Sequence, residues 1–401
     1  MASQSCRFSA HVLFMDEPLV LIHIPISFYP FFIHPILQLL FHDVSPIDSG
    51  GKFTGSIETD FLNISITPVE CSITCSRTLA TLYFVPMVDK FRQIAAPMGK
   101  SIDISEEEFL AMQVEGQGLD AGQRVVELTS PLAMAGISIF FISTYFTDYV
   151  LVPKSSKTEV IETLLERGFN VDQFTGTISE ESSSQFNSSI SSPESLAELQ
   201  ARTLMTLHDH DIQPQVDMTL RLVQCAAHYR EFTGTKTYAI LRPNLVASLL
   251  QDNPRFFSLT VAATDPAPSL LLEKRLLSRF LLYQPEEQNS PSSSEEDANL
   301  LLGSKEDTFI AITLDLQDLS FEAAGIVAGV ASTLAADPAS KENVGTKETN
   351  NHNLELGFLS TARAVTVIVC EEAVQEDKIM LSGLEMLRTK KGRRGYALPE
   401  E

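Results

Sequence analysis

Residues 130–153 read SPLAMAGISIFFISTYFTDYVLVP, and a related pattern returns about two hundred residues later. The second copy reads FEAAGIVAGVASTLAAD from Phe321 and continues, after a polar insertion, as LGFLSTARAVTVIVC from Leu356. In each copy a Leu-Ala helical segment precedes an apolar strand that ends in Ser-Thr, and a second β-rich run follows. This repeated helix–strand–strand–helix pattern indicates duplicated α+β modules with antiparallel sheets backed by helices. Paired modules of this kind commonly place a small-ligand site where they meet.

The two copies predict equivalent strands at residues 137–142 and 357–361, and following helices at residues 158–168 and 371–387. Outside the copies the residue types are less regular. There we predict strands at residues 10–14, 60–75, 203–207 and 237–241, and a helix at residues 216–229.

Two Ser-rich acidic stretches, residues 176–199 and 284–306, divide the chain. They carry too little apolar surface to offset the entropy of ordering, so we expect linkers. The rest is predicted to form four modules in two halves. These are module A (1–104, with a Pro-rich insertion), module B (105–175), module C (200–283) and module D (307–401, with a polar insertion at 338–355 and a basic tail).

Charge and cysteine content narrow the function classes. The net charge of −23 argues against nucleic acid as a partner, because phosphate binding needs clustered Lys and Arg. The basic run at residues 388–394 is either a solvated tail or a nuclear-localisation signal or a contact with anionic lipid.

Five cysteines without framework spacing indicate reduced thiols and a cytoplasmic protein. Cys71 and Cys75 are interpreted as buried strand residues, the alternative being a metal or redox pair.

Residues 18–41 form an uncharged apolar stretch long enough to cross a bilayer. Four prolines interrupt it, and proline removes backbone donors and kinks helices. We therefore predict an apolar strand, a Pro-rich insertion and a helix that begins near Pro35, since proline suits the first helical turn. A membrane span is the alternative.

The sequence contains no recognisable catalytic motif. The sequence contains no phosphate-binding G-x-x-x-x-G-K-[ST] loop, no H-E-x-x-H and no G-x-S-x-G. The run His208-Asp-His-Asp211 could bind a metal, but a surface loop is the preferred interpretation because structural zinc needs four spaced ligands. We therefore expect a binding protein that is not an enzyme and needs no cofactor.

Both copies of the pattern resemble the CASTOR proteins, which are cytosolic arginine sensors that regulate TORC1. The resemblance lies in residues 137–153 and 321–330, with weaker matches at residues 34–41 and in the strand from Phe61 to Thr67-Pro68. It implies four ACT domains, which are βαββαβ modules that bind amino acids in metabolic regulators. It also implies a ligand between modules B and D. Because the four prolines oppose a continuous helix, we separately expect residues 18–41 to pack within the first module, with no membrane association.

The resemblance carries residue roles onto this chain. In module B it assigns ligand contacts to the strand residues Ser138 and Ile139. In module D it assigns the ligand-binding positions Gly325, Ile326, Val327, Ser360 and Thr361. The backbone N–H groups at the loop-to-helix segment can hold a carboxylate.

Two positions depart from the family pattern. Family members carry acidic residues where this chain has Ala323 and Val365, and both acids help to hold cationic arginine. A buried guanidinium without a paired carboxylate is costly. Glu322 lies nearby as a substitute for one acid. We therefore predict an amino-acid ligand other than arginine, either neutral or weakly polar.

The resemblance also implies a partner surface at Tyr145, Phe146 and Asp148, the positions where the sensors meet the GATOR2 complex. Phe146 replaces a glutamine there, and the alternative is that Tyr145 and Phe146 are half-buried sheet residues. A homodimer is the other partner prediction. Two further functions stay open: a regulatory ACT component of a biosynthetic enzyme such as an aspartokinase, and an adaptor whose ligand site has decayed.

Overall fold

Antiparallel strands account for most of the ordered core in the computed structural model, which describes residues 9–41, 60–117, 121–172, 195–227, 237–280, 300–319, 323–335, 356–372 and 387. The strands are β1 (Ser9–Phe14), β2 (Leu19–Pro25), β3 (Phe61–Ile66), β4 (Glu70–Ser76), β5 (Asp103–Ile104), β6 (Phe109–Gln117), β7 (Phe140–Ser143), β8 (Asp148–Pro153), β9 (Asn170–Asp172), β10 (Gln215–Val216), β11 (Leu222–Ala227), β12 (Phe257–Ala262), β13 (Ser269–Glu273), β14 (Leu301–Leu302), β15 (Phe309–Asp315), β16 (Leu356–Ser360) and β17 (Ala364–Cys370). The α-helices are α1 (Tyr29–Leu40), α2 (Arg77–Tyr83), α3 (Val85–Ala95), α4 (Ala121–Met134), α5 (Lys157–Glu166), α6 (Leu196–Asp209), α7 (Thr237–Gln251) and α8 (Ile326–Ala335).

The strands pair in two long runs. One run is β9-β1-β6-β8-β7-β16-β17-β15-β10, and the other is β5-β2-β4-β3-β12-β13-β11-β14. All pairs are antiparallel except β1–β9. Single register positions join the runs at Leu19–Phe109 and Leu222–Phe309. The described strands are therefore continuous with one another.

The duplicated pattern is visible in the strand order. The first copy is ordered β6-β8-β7 and the second β15-β17-β16, and the two copies meet where Ile142 pairs with Leu359. The other run repeats the arrangement as β2-β4-β3 and β11-β13-β12, with β3 beside β12. Strand, helix, strand, strand thus occurs four times in chain order among the described elements.

Both faces of the strands are buried. Along β6, Leu110 and Met112 point into a core with helices α4, α5, α6 and α8. The alternate residues Phe109 and Ala111 point into a second core between the two runs. Helices α1, α2 and α7 cover the outer face of the other run. The result is a layered arrangement of helices, strands, strands and helices, in which each apolar face has a cover.

The structure corrects three element predictions. Residues 203–207 lie inside α6 and residues 237–241 begin α7, where strands were predicted, while residues 216–229 contain β10 and β11 rather than a helix. In each of the two helices, buried residues recur at every fourth position, which forms a helical stripe (Leu199, Thr203, Leu207; Leu241, Leu245, Leu249). Strand β11 is covered on both faces, so its sequence lacks the alternation that marks a half-buried strand.

The Pro-rich stretch folds into β2, a short 3-10 turn at Ile26–Phe28, and α1. The helix begins at Tyr29, six residues before the predicted start at Pro35. Pro30 occupies its first turn, and Pro35 is accommodated inside because the buried apolar residues of α1 outweigh one lost backbone bond. Among the described residues, no helix has both the length and the apolar character needed to cross a membrane.

The remaining element predictions fall into three groups. Strand β1, residues 149–152 in β8 and helix α5 match the predicted positions, and β16 lies within one residue of its prediction. Strand β7 is shorter than predicted and begins at Phe140, and the predicted strand at residues 60–75 is divided into β3 and β4. Most of the predicted helix at 371–387, both linkers, the insertion at 338–355, the basic run and Cys6 lie largely or wholly outside the described residues.

Candidate functional site

A cavity lies where the two copies of the pattern meet. Ile139 and Phe140 line it from the start of β7, and Leu316 and Leu319 from the segment after β15. Its other walls are the start of α8 (Ala323, Gly325, Ile326, Val327) and the turn between β16 and β17 with the next strand residue (Ser360, Thr361, Ala362, Arg363, Val365). The cavity measures about 50 Å³. That is room for roughly three to five water molecules, at about 10–15 Å³ each.

Glycine fixes the position of α8 at this cavity. Gly325 has a φ of +83°, a left-handed conformation that only glycine adopts at no steric cost, and the helix begins at the next residue. Gly329 allows α8 to approach α6 so closely that an added Cβ would collide with Thr203. The Thr203 hydroxyl donates to the Gly325 carbonyl at 3.3 Å. The first N–H groups of α8 are therefore held at the cavity wall, where a helix leaves its N–H groups without intrahelical partners.

The β16–β17 turn is held from the other strand run. Glu70, at the start of β4, accepts hydrogen bonds from the Thr361 hydroxyl and from the Arg363 N–H, each at 2.6 Å. Its other oxygen lies 2.5 Å from Nδ1 of His23, and both side chains are buried. Ser72 accepts from the Ala362 N–H at 3.0 Å. The cavity wall is thus tied to strands 290 residues away in sequence.

Arg363 is a site residue that the sequence analysis missed. Its guanidinium donates to the Leu319 carbonyl at 3.0 Å and lies 4.0 Å from the carboxylate of Asp103. It is the one charged residue among the described residues that line the cavity. The signal was present in the sequence, because Arg363 stands three residues after Ser360, in the predicted turn between the two strands.

Ser360 contributes a polar atom without a partner. The residue is 3% exposed, and its hydroxyl has no hydrogen-bond partner among the described residues. A buried polar group without a partner destabilises the protein by about 1–3 kcal/mol. Such a group at a cavity wall indicates a place for an external hydrogen-bonding group.

The cavity brings together six of the eight predicted ligand residues: Ile139, Gly325, Ile326, Val327, Ser360 and Thr361. Ser138 precedes Ile139 but does not line the cavity, and Glu322 lies outside the described residues. Ala323 and Val365, where the resembling family carries acids, both line the wall. Within the described residues, the wall accordingly has no carboxylate.

The three predicted partner residues differ in exposure. Tyr145 is 40% exposed, whereas Phe146 is half-buried against the core beneath α1 and α7. Asp148 is buried and accepts a hydrogen bond from Nε of Arg124 at 2.9 Å. Burial raises the pKa of Asp148 above its usual value, although Arg124 opposes the shift. Of the three, only Tyr145 presents much of its side chain to solvent.

The alternative chemistries gain no support from the geometry. Cys71 and Cys75 are buried in β4, and burial raises the pKa of both thiols. The run at residues 208–211 ends helix α6, and no group of three or more metal-ligating side chains occurs in the described part of the chain.

Comparison with known proteins identifies one domain. Residues 104–166, which span β6, α4, β7, β8 and α5, match the ACT domain family. No curated protein gives a significant match to the chain. The chain therefore contains an ACT domain, a type of module that commonly binds amino acids in regulatory proteins.

Three solved structures show distant similarity. A protein from Agrobacterium tumefaciens shares 18% identity, with 44% of this chain and 100% of that chain covered, at a TM-score of 0.25. Aspartate kinase from Synechocystis shares 11% identity over 97% of this chain and 57% of its own, at a TM-score of 0.30. A protein of unknown function from Vibrio cholerae shares 15% identity, covering 39% and 89%, at a TM-score of 0.22. At these scores the likenesses imply nothing about activity or ligand.

Proposed function

We propose that this protein is a non-enzymatic, amino-acid-binding regulatory protein whose ligand occupies the cavity between the two copies of the pattern. The observation that carries the proposal is the wall itself. The start of α8 and the unpartnered Ser360 hydroxyl face one small cavity, next to a domain of the ACT type. Backbone N–H groups at a helix start bind carboxylates, which every amino acid presents.

The proposal includes four ACT-like modules, A to D, with the ligand held between B and D. The fourfold strand–helix–strand–strand order supports this reading, as does the meeting of β7 with β16 beside the cavity. The ligand is proposed not to be arginine, because neither Ala323 nor Val365 supplies a counter-charge for a guanidinium.

A panel of the twenty amino acids tests the proposal by thermal shift and calorimetry. A ligand at 100 times its Kd should stabilise the folded state by about 2.7 kcal/mol. The variant Ala323→Leu fills the cavity and should abolish binding. Ala135→Leu is the matched control, since Ala135 is also half-buried against the same core but does not line the cavity. Failure of every amino acid to bind the wild type would refute the proposal and favour the adaptor with a decayed site.

We further propose that the protein acts in the cytoplasm upstream of TORC1, through a GATOR2-like complex. This part rests on the resemblance of residues 137–153 and 321–330 to the CASTOR proteins. Tyr145 supports a contact surface because it is exposed beside the β7–β8 turn. Co-precipitation from cells with and without ligand would test it, with Tyr145→Ala expected to lose the complex. An assay of the purified chain for aspartokinase-type activity addresses the enzyme-linked alternative.

A further inference from the structure

We propose that the cavity takes a small, uncharged amino acid of the alanine class, and that its apolar wall excludes larger side chains. The inference rests on the proposed function and names the ligand class of the same site. It narrows the expected neutral or weakly polar ligand to its smallest members. The groups that can receive a ligand backbone, the apolar lining and the volume each support this class.

Two neighbouring features of the wall can receive the α-carboxylate that every amino acid carries. The first N–H groups of α8, at Ile326 and Val327, stand where a helix has no intrahelical acceptor and carries the partial positive charge of its dipole. Ser360 lines the same cavity and is 3% exposed, and its hydroxyl has no hydrogen-bond partner among the described residues. A buried hydroxyl of this kind gains a hydrogen bond when a ligand oxygen reaches it. The helix start and the hydroxyl together form one carboxylate site.

The side chains around this carboxylate site suit an uncharged ligand. The guanidinium of Arg363 donates to the Leu319 carbonyl at 3.0 Å and lies 4.0 Å from the carboxylate of Asp103. It is thus engaged by the protein itself and does not require an anionic ligand. Ala323 and Val365, at the positions where the resembling family carries acids, are both apolar. A charged ligand side chain beside these two residues would lose its water without gaining a counter-charge from either.

The volume of the cavity favours the smallest amino acids. At about 50 Å³ the cavity holds roughly three to five water-sized atoms. Glycine and alanine come closest to that number, whereas leucine, methionine and arginine far exceed it. Branched side chains form part of the wall, and one of them, Val365, lies in β17 within the buried core. Because a packed interior accommodates extra carbon atoms only with strain, the wall should exclude larger ligands.

Calorimetry on the full chain with alanine, valine, leucine, aspartate and arginine tests the inference. We expect alanine to bind about tenfold or more tightly than leucine, aspartate or arginine, with valine in between. Affinity should fall along the series alanine, valine, leucine because each added carbon has to displace part of the wall.

The two possible failures are distinguishable. If no amino acid binds, the proposed function is wrong and this inference falls with it. If leucine, aspartate or arginine binds as tightly as alanine, the proposed function stands and only the choice of ligand class is wrong.

A matched pair of valine variants tests whether the wall sets the size limit. Val365 and Val367 both lie in β17 and are buried in the same core, but of the two only Val365 lines the cavity. Val365→Ala removes from the wall both methyl groups, the same atoms by which valine exceeds alanine. It should therefore reduce the preference for alanine over valine by about tenfold, whereas Val367→Ala should leave that preference unchanged. Both variants lose core contacts, so an effect of destabilisation alone would appear in both. An unchanged preference in Val365→Ala would overturn the role of the wall.

A matched pair of serine variants tests the carboxylate site. Ser360 and Ser269 are both 3% exposed with hydroxyls that lack a partner among the described residues, but Ser269 lies in β13 and does not line the cavity. Neither Ser360→Ala nor Ser269→Ala should lower the unfolding temperature of the ligand-free protein, since each removes an unsatisfied group. Only Ser360→Ala should weaken alanine binding, by about fivefold or more. Equal affinities in the two variants would overturn the role of Ser360.

Discussion

Replacement of Glu70 with Gln should loosen the cavity wall as well as destabilise the protein. Glu70 is fully buried, accepts hydrogen bonds from the Thr361 hydroxyl and the Arg363 N–H, and lies 2.5 Å from Nδ1 of His23. Glutamine keeps the shape but removes the carboxylate, and it puts an NH₂ group in place of one oxygen, either the one that accepts from Thr361 and Arg363 or the one that faces Nδ1 of His23. Each hydrogen bond to a charged group contributes about 1.5–3 kcal/mol, and breaking a buried pair by removing one partner costs about 3–5 kcal/mol. We expect a loss of about 3–5 kcal/mol in the free energy of unfolding.

The assay combines urea unfolding with hydrogen exchange of the turn amides. The Arg363 N–H donates directly to Glu70, so Glu70→Gln should accelerate its exchange, together with that of the neighbouring Ala362. Glu273→Gln is the control. Glu273 is an equally buried carboxylate that accepts from the Arg255 and Phe256 N–H groups and pairs with Arg275, far from the cavity.

Both variants should lower the urea midpoint, but only Glu70→Gln should expose the turn before global unfolding. A loss below about 1 kcal/mol for Glu70→Gln would refute the argument that this buried pair holds the wall. So would equal acceleration of the Arg363 amide in both variants.

Three further outcomes are expected. Burial raises the pKa of Asp265 to about 6 from 3.8, so ionisation of this carboxyl destabilises the folded protein, an effect that is absent below pH 4 and complete above pH 6. Asp265→Asn should therefore raise the free energy of unfolding by roughly 1 kcal/mol at pH 7.5 and leave it unchanged at pH 4, as measured by urea unfolding. Partial solvent exposure of Asp265 reduces this value. Gly329→Ala should lower the free energy of unfolding by about 1–3 kcal/mol in the same assay, because the added Cβ would collide with Thr203 and push α8 away from α6. Val365→Asp with Ala323→Glu should improve arginine affinity by about 2–5 kcal/mol in calorimetry, and an unchanged Kd would contradict the counter-charge argument.

The repeated pattern was predictable because its residues keep a strong local signal. In both copies the Leu-Ala helix, the Ser-Thr strand end and the following β-rich run are each decided by neighbours close in sequence. The elements of residues 196–251 were not predictable in this way. Strand β11 has strands on both sides and cores on both faces. Its sequence therefore lacks the alternation of apolar and polar residues that would distinguish a strand from a helix.

About half of the residues in the cavity wall were predictable from the sequence, whereas the distant contacts that hold the wall in place were not. Gly325 and Thr361 belong to the patterns that carry the resemblance, so their residue types point to the site. Glu70 lies 291 residues from Thr361, and nothing in the residues around Glu70 indicates that its carboxylate meets that turn. Contacts at such separations follow from the pairing of whole sheets, here β3 with β12 and β7 with β16.

The two copies carry different residues at two equivalent positions near the cavity. Asp148 and Val365 each stand five residues after the serine of Ser-Thr, and Arg124 and Ile326 each stand eight residues before the leucine of Leu-Ala. In the first copy the two positions meet as an ion pair at 2.9 Å, in which Asp148 is buried and Arg124 is partly exposed. In the second copy both residues are apolar and line the cavity, so neither of them offers a charge to a ligand there.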